Sequence, residues 1–175
     1  MTRAYAWEDL SGVPLGTYVE LRGGLRAQRP ARSPTDGLEV LGFHVLCSLF
    51  TKSASLGVPE FARREDRVVW SDAVLTDPSG EQSMSVALDE GPVKVPARHE
   101  STLSDEAMIA LLDRLDLPSE GVVQVQVLER SVPDGASVRI RGVLADVAPA
   151  GPAFRSSARA RRGLVGERRR PLVVL

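Results

Sequence analysis

Residues 121–142 read GVVQVQVLERSVPDGASVRIRG and hold the clearest strand pattern in the chain. Val123, Val125 and Val127 alternate with Gln124 and Gln126, and further on Val138 and Ile140 alternate with Ser137, Arg139 and Arg141. A period of two is the signature of a strand with one face buried. Between the two runs, Pro133-Asp134-Gly135 supplies turn chemistry, so the stretch predicts a β-hairpin. Around such a nucleus the expected fold is mainly β, an antiparallel barrel or two packed sheets.

Upstream, one segment breaks the β pattern. Met108, Leu111, Leu112 and Leu115 recur at helical spacing, with Ser104 placed to cap, Asp105 and Glu106 at the positive end of the helix dipole and Pro118 beyond the last turn. This predicts one amphipathic helix over about 104–116. Earlier still come short strands. Thr17, Val19 and Leu21 alternate with Tyr18, Glu20 and Arg22 until Gly23-Gly24, which reads as the strand's end. Leu38–Phe50 is apolar almost throughout, as expected of a central strand covered on both faces. Residues 51–66, polar and including Arg63, Arg64, Glu65 and Asp66, read as a loop; strand character resumes over Arg67–Thr76. Asp77-Pro78-Ser79-Gly80 is a β-turn, followed by strands near Ser83–Leu88 and Val93–Val95 around the turn Asp89-Glu90-Gly91-Pro92. Downstream, 154–170 carries seven Arg against the single acid Glu167 and reads as an arginine-rich loop. The apolar 171–175 then closes a sheet edge.

The length of 175 residues fits a single domain, 1–175, large enough to bury its own core. A net charge of −1 hides an asymmetry: 60–130 carry fifteen acids against seven bases, and 131–175 nine bases against three acids. One cysteine, Cys47, excludes an internal disulfide framework and a cysteine-rich zinc site, and two histidines, His44 and His99, leave little material for an imidazole metal centre. Glu8 and Asp9 interrupt any signal-peptide pattern, and the longest apolar stretch, Leu38–Phe50, falls short of the about 20 residues a spanning helix needs. The expectation is a cytoplasmic protein with no membrane span, no cofactor and no metal.

Candidate chemistry is sparse. Phosphate-loop, dinucleotide and nucleophile-elbow motifs are missing from the sequence, and His99-Glu100 lacks the second histidine of a His-Glu-x-x-His site. His99 therefore reads as a loop residue and His44 as a hydrogen-bonded sheet histidine. Cys47, an odd number of positions from His44, faces the other way and reads as a small buried hydrophobe. Asp89/Glu90 and Glu65/Asp66 read as solvated carboxylates beside turns. The sharper cluster is Arg155, Arg159, Arg161, Arg162, Arg168, Arg169 and Arg170, suited to phosphate of nucleic acid or to an anionic surface, or else solvated and paired with the acidic middle of the chain.

In this order of strands and turns the chain resembles the GIDE (BAM) domain family of membrane-anchored E3 ubiquitin ligases and their bacterial relatives. The resemblance begins at Gly16-Thr17-Tyr18-Val19-Glu20-Leu21-Arg22-Gly23 and the Ser33-Pro34 segment. It continues through Trp70 and a strand-turn-strand, matched either around Asp77 and Gly80 or around Val86–Val95. Its most specific piece is Glu129-Arg130 followed by Gly135 and Gly142, similar to the family's E-R-x-L-x-x-G-d-x-V-x-V-x-G, and Arg170-Pro171-Leu172-Val173-Val174 resembles the close of bacterial members. Glu129 and Arg130 equally suit a purely structural role, pairing across strands. The family's membrane helices and RING are missing from this sequence, and a RING cannot be built from Cys47 alone. What the resemblance implies is a β-rich, OB-like, non-enzymatic module that binds other proteins, a soluble accessory of a bacterial membrane or stress-response system. The alternatives are nucleic-acid or anionic-surface binding through the arginine segment and a hydrolase around His44 or His99.

Overall fold

The computed structural model describes residues 3–147 and 161–175 and is mainly β, a closed five-stranded mixed barrel beside a second sheet, with one short α-helix. Five strands form the ring: β2 (Tyr18–Ala27), β6 (Ala73–Thr76), β7 (Ser83–Ala87), β12 (Arg161–Val165) and β11 (Ala136–Val147). They run in the order β2-β6-β7-β12-β11, and β11 pairs back onto β2 to close it. Only β7 and β12 run parallel within the ring. Short strands β1 (Arg3–Ala4), β8 (Val93–Lys94) and β13 (Leu172–Val174) extend the wall outside it. Leu21, Leu25, Leu75, Val86, Ile140, Leu144, Leu164 and Leu172 fill the interior at 1% exposure or less. This alternation of buried and outward residues is what a small barrel requires.

The second sheet runs β9 (Ala97–Leu103), β10 (Val122–Pro133), β4 (Glu39–Lys52), and beyond β4 both β3 (Ala31–Arg32) and β5 (Pro59–Trp70) pair with different stretches of it. Helix α1 (Asp105–Arg114) covers one face. There Val45, Cys47, Leu49, Val125 and Val127 meet Met108, Leu111, Leu112 and Leu115 in a second core. Each of those leucines contributes about 2 kcal/mol by leaving water. Helix, Asp77–Gly80 turn and closing strand all lie where the sequence pattern puts them. Ser104 precedes the helix, but its hydroxyl donates to Asp105 Oδ2 and accepts from no backbone amide of the first turn.

Four expectations are corrected. β10 and β11 do not pair: β10 lies between β4 and β9, β11 between β2 and the strands β12 and β13, so Pro133-Asp134-Gly135 carries the chain from one sheet to the other. The turn is fixed from outside, with Asp134 Oδ1 accepting from the Ala27 amide at 2.7 Å and the Gly135 amide donating to Leu25 O at 2.9 Å. Gly23-Gly24 does not end β2, which runs on to Ala27. Gly23 sits where a Cβ would strike the Thr76 carbonyl, so the glycine marks close strand approach and not a turn. The expected loop over 51–66 is mostly strand, because β5 begins at Pro59 and is exposed along its length, and a strand wet on both faces carries no apolar alternation. Part of the arginine-rich loop is also strand, since β12 spans 161–165.

Leu38–Phe50 is central as expected but not covered on both faces. Its helix side is buried, while His44, Leu46, Ser48 and Phe50 are only half-buried on the other side. Gly42 lies in this strand where an added Cβ would meet the Val69 carbonyl and come 2.6 Å from Trp70. Gly42→Ala is expected to destabilise the chain by about 2 kcal/mol, seen as a lower urea midpoint at unchanged slope.

Candidate functional site

Glu129 is the most deeply buried charged residue described, at 0% exposure in the middle of β10. A carboxylate taken out of water demands donors on every lone pair. Its Oε2 accepts from Ser33 Oγ at 2.9 Å, Thr35 Oγ1 at 2.6 Å and the Thr35 amide at 3.2 Å. Its Oε1 accepts from Ser131 Oγ at 2.6 Å, with the Arg98 guanidinium 4.0 Å away. The carboxylate thus clasps the loop after β3 against the centre of the sheet. A cross-strand pairing of Glu129 with Arg130 is corrected: Arg130 donates instead to the Val95 carbonyl at 3.2 Å.

The same loop carries Asp36, which joins Arg98 at 2.7 Å and His99 at 3.1 Å. His99 belongs to β9 and not to a loop, a second correction, since its strand pairs with β10 opposite Glu129. Partial desolvation works to raise Asp36, but the Leu38 amide, the Ser33 hydroxyl, His99 and the Arg98 charge outweigh it and hold the carboxyl at about 2. Arg114 from the helix completes the clasp, donating to the carbonyls of Pro34 and Thr35 at 2.8 and 3.2 Å. Among the described residues, the buried side-chain polar atoms here all have hydrogen-bond partners within the chain. That is the chemistry of a joint.

The remaining candidates are dispersed. His44 sits on the open face of the second sheet, its Nε2 2.9 Å from Asp66. Cys47 faces the helix side, buried, and burial followed by the Glu65 charge pushes its thiol up to about 11. Asp72 is raised to about 6 by burial and by its hydrogen-bonded neighbour Asp89, with Glu90 adding to the effect. Among the described residues no group of three or more His, Cys, Asp or Glu is placed to hold a metal ion. Of the motif residues, Trp70 packs at the edge of the barrel core, Asp77 and Gly80 form their turn, Gly135 takes a φ of +76°, and Gly142 lies where an added Cβ would come 3.2 Å from Leu164 Cβ.

The arginine segment is divided in its uses. Arg155 and Arg159 lie outside the described residues, and Arg161 opens β12. Arg162 reaches inward to the carbonyls of Leu10 and Val13, pinning the 3-10 turn Trp7–Gly12 to the barrel. Arg170 joins Glu167 at 2.7 Å and the Gly16 carbonyl at 2.7 Å. Arg168 and Arg169 remain exposed at the turn before β13.

A feature the sequence reading passed over is the long β4–β5 arm. At its end and along β5, Leu56 is 76% exposed, Val58 51%, Phe61 55% and Val68 56%. Phe61 stacks edge-on against Phe50 across the two strands, centroids 6.0 Å apart, which fixes the ring on the surface. The only sequence signal for it was a few apolar residues inside a polar stretch.

Two measurements test the clasp and its charges. Glu129→Ala strands three hydroxyls and an amide without their acceptor and is expected to cost about 3 kcal/mol in urea unfolding, with Glu129→Gln costing less. Asp36 ionises more readily folded than unfolded, so its contribution is complete above its ordinary 3.8 and is lost as pH falls toward about 2. Asp72 has the opposite sign: its contribution is complete below 3.8 and declines as pH rises toward about 6. Unfolding free energies measured from pH 2 to 7 should lose the acid limb in Asp36→Asn and the higher limb in Asp72→Asn. Comparison of the chain with protein-family models, with curated proteins and with solved structures finds no match.

Proposed function

We propose that the chain is a non-enzymatic protein-interaction module of GIDE-like type that engages its partner with the β4–β5 arm. The observation that carries this reading is the set of exposed apolar side chains Leu56, Val58, Phe61 and Val68 on the turn after β4 and along the edge strand β5. Exposed apolar surface gathered on one element marks a contact face. Two features support it. The Glu129 cluster consumes its polar groups internally, which suits a clasp for the scaffold rather than a reaction centre. The open sheet face beside the arm is nearly flat and mixed in character, with Leu46, Ser48, Arg64, Glu100, Thr102 and Gln126 around a shallow depression. On this reading the motif residues Glu129, Gly135 and Gly142 recur in the resembling family because they hold the fold, while the surface that contacts the partner is free to vary.

A photo-crosslinking amino acid placed at Phe61, and as a control at the exposed Glu81 in the turn before β7 of the barrel, tests the reading in cells that express the chain. The expected result is a defined polypeptide adduct from position 61 alone, with binding of the purified partner weakened at least about tenfold by Phe61→Asp. Equal adducts from both positions, or none from either, would overturn it.

A further inference from the structure

We propose that two copies of this chain associate antiparallel through the free edge of β5, a self-pairing that rests on the reading of the β4–β5 arm as a contact element. β5 is 12 residues long and pairs only with β4, so no described residue occupies its second edge. An unpaired strand of that length is a template for another strand. Natural edges are blunted by charged side chains, bulges, proline or a covering element. β5 begins with Pro59 and has an irregularity between Phe61 and Arg63, but from Arg63 to Val69 it is regular. Its charges in that stretch, Arg63-Arg64-Glu65-Asp66-Arg67, are of both signs and nearly balanced.

The register decides what these charges meet. A two-fold axis perpendicular to the sheet keeps each side chain on its own face, so residues that face across the axis must share a face. Arg64, Asp66 and Val68 lie on the open face, opposite Ser48, Leu46 and His44, and Arg63, Glu65 and Arg67 lie on the helix face, opposite Leu49, Cys47 and Val45. With the axis through Glu65, Arg64 of each copy faces Asp66 of the other on the open face. On the helix face the two Glu65 carboxylates meet at the centre and Arg63 of each copy faces Arg67 of the other, like charges offset by the diagonal approach of both arginines to the Glu65 of the opposing strand. Asp66 already holds His44 through Oδ1, which leaves Oδ2 for the guanidinium from the second copy. Arg63 holds Glu65 at 3.3 Å within each strand and so neutralises part of the central pair. The opposite edge of the sheet is a poorer match. β9 has 7 residues, and its Arg98 and His99 are committed to Asp36.

The pairing is tested by sedimentation of the full chain over a range of concentrations. The wild type is expected to form a dimer that weakens as salt rises, since the ion pairs are exposed. Arg64→Asp sets Asp against Asp66, and Asp66→Arg sets Arg against Arg64, so each variant should associate at least about tenfold more weakly than wild type. An equimolar mixture of the two variants restores opposite charges at both sites and should yield a heterodimer, as the double swap R64D/D66R should restore the homodimer. Circular dichroism confirms that each variant folds. A wild type that stays monomeric, a dimer insensitive to either variant, or a mixture no stronger than its components would overturn the pairing. Cross-links from Phe61 to a different protein, with a monomeric chain, would overturn self-pairing and leave the arm's role as a contact element standing.

Discussion

The scaffold turns on one buried carboxylate. Glu129 lies in the second sheet, and its five nearest donors come from a loop about 95 residues earlier, from its own strand and from β9. Ionised and dry, it tolerates no arrangement in which those donors are elsewhere. It thereby sets where the Ser33–Gly37 loop runs, and that loop in turn begins β4, the strand on which β10, β3 and β5 all pair. Arg114 carries the constraint to the helix, which packs on the same sheet. Hydrophobic burial supplies most of the stability of this half, but burial alone is indifferent to register. The clasp is what selects one.

The barrel needs no such device because its closure is itself a constraint. Strand β11 is shared out along its length: Ala136–Val143 pairs with β2, Ile140 and Arg141 also pair with β13, and Val143–Val147 pairs with β12. Small residues permit the tight approach of these elements, Gly142 against Leu164 and Gly163 against Val147. Arg162 fastens the 3-10 turn over one end through backbone carbonyls. Arginines that look like a ligand site in the sequence are partly spent as internal struts.

What could be read from the sequence depended on whether the physics was local. The helix over 105–114 shows itself through four apolar residues at one spacing, and the Asp77–Gly80 turn through proline and glycine chemistry within four residues. The mainly β class also follows from alternation. Partnership between strands is not local, and there the reading went astray: Pro133-Asp134-Gly135 specifies a reversal of the chain but says nothing about whether the strands it joins will touch. β5 was missed because an edge strand that buries neither face has no hydrophobic pattern to show. Glu129 could be singled out as a motif residue, but its partners Ser33 and Thr35 stand 96 and 94 positions away.

The order of the strands along the chain also orders the assembly of the two halves. The second sheet and its helix are complete by Pro133, whereas the ring lacks β11 and β12 until residues 136–147 and 161–165 are present. During synthesis from the ribosome, the strands β2, β6 and β7 must therefore wait, apolar side outward, while the sheet whose strands are interleaved with them is already folding. Pairings between distant segments are slow to form. For this chain the interval between the two events is the time of greatest exposure, and the clasp between β10 and the Ser33–Thr35 loop, whose residues have all emerged by then, can form within it.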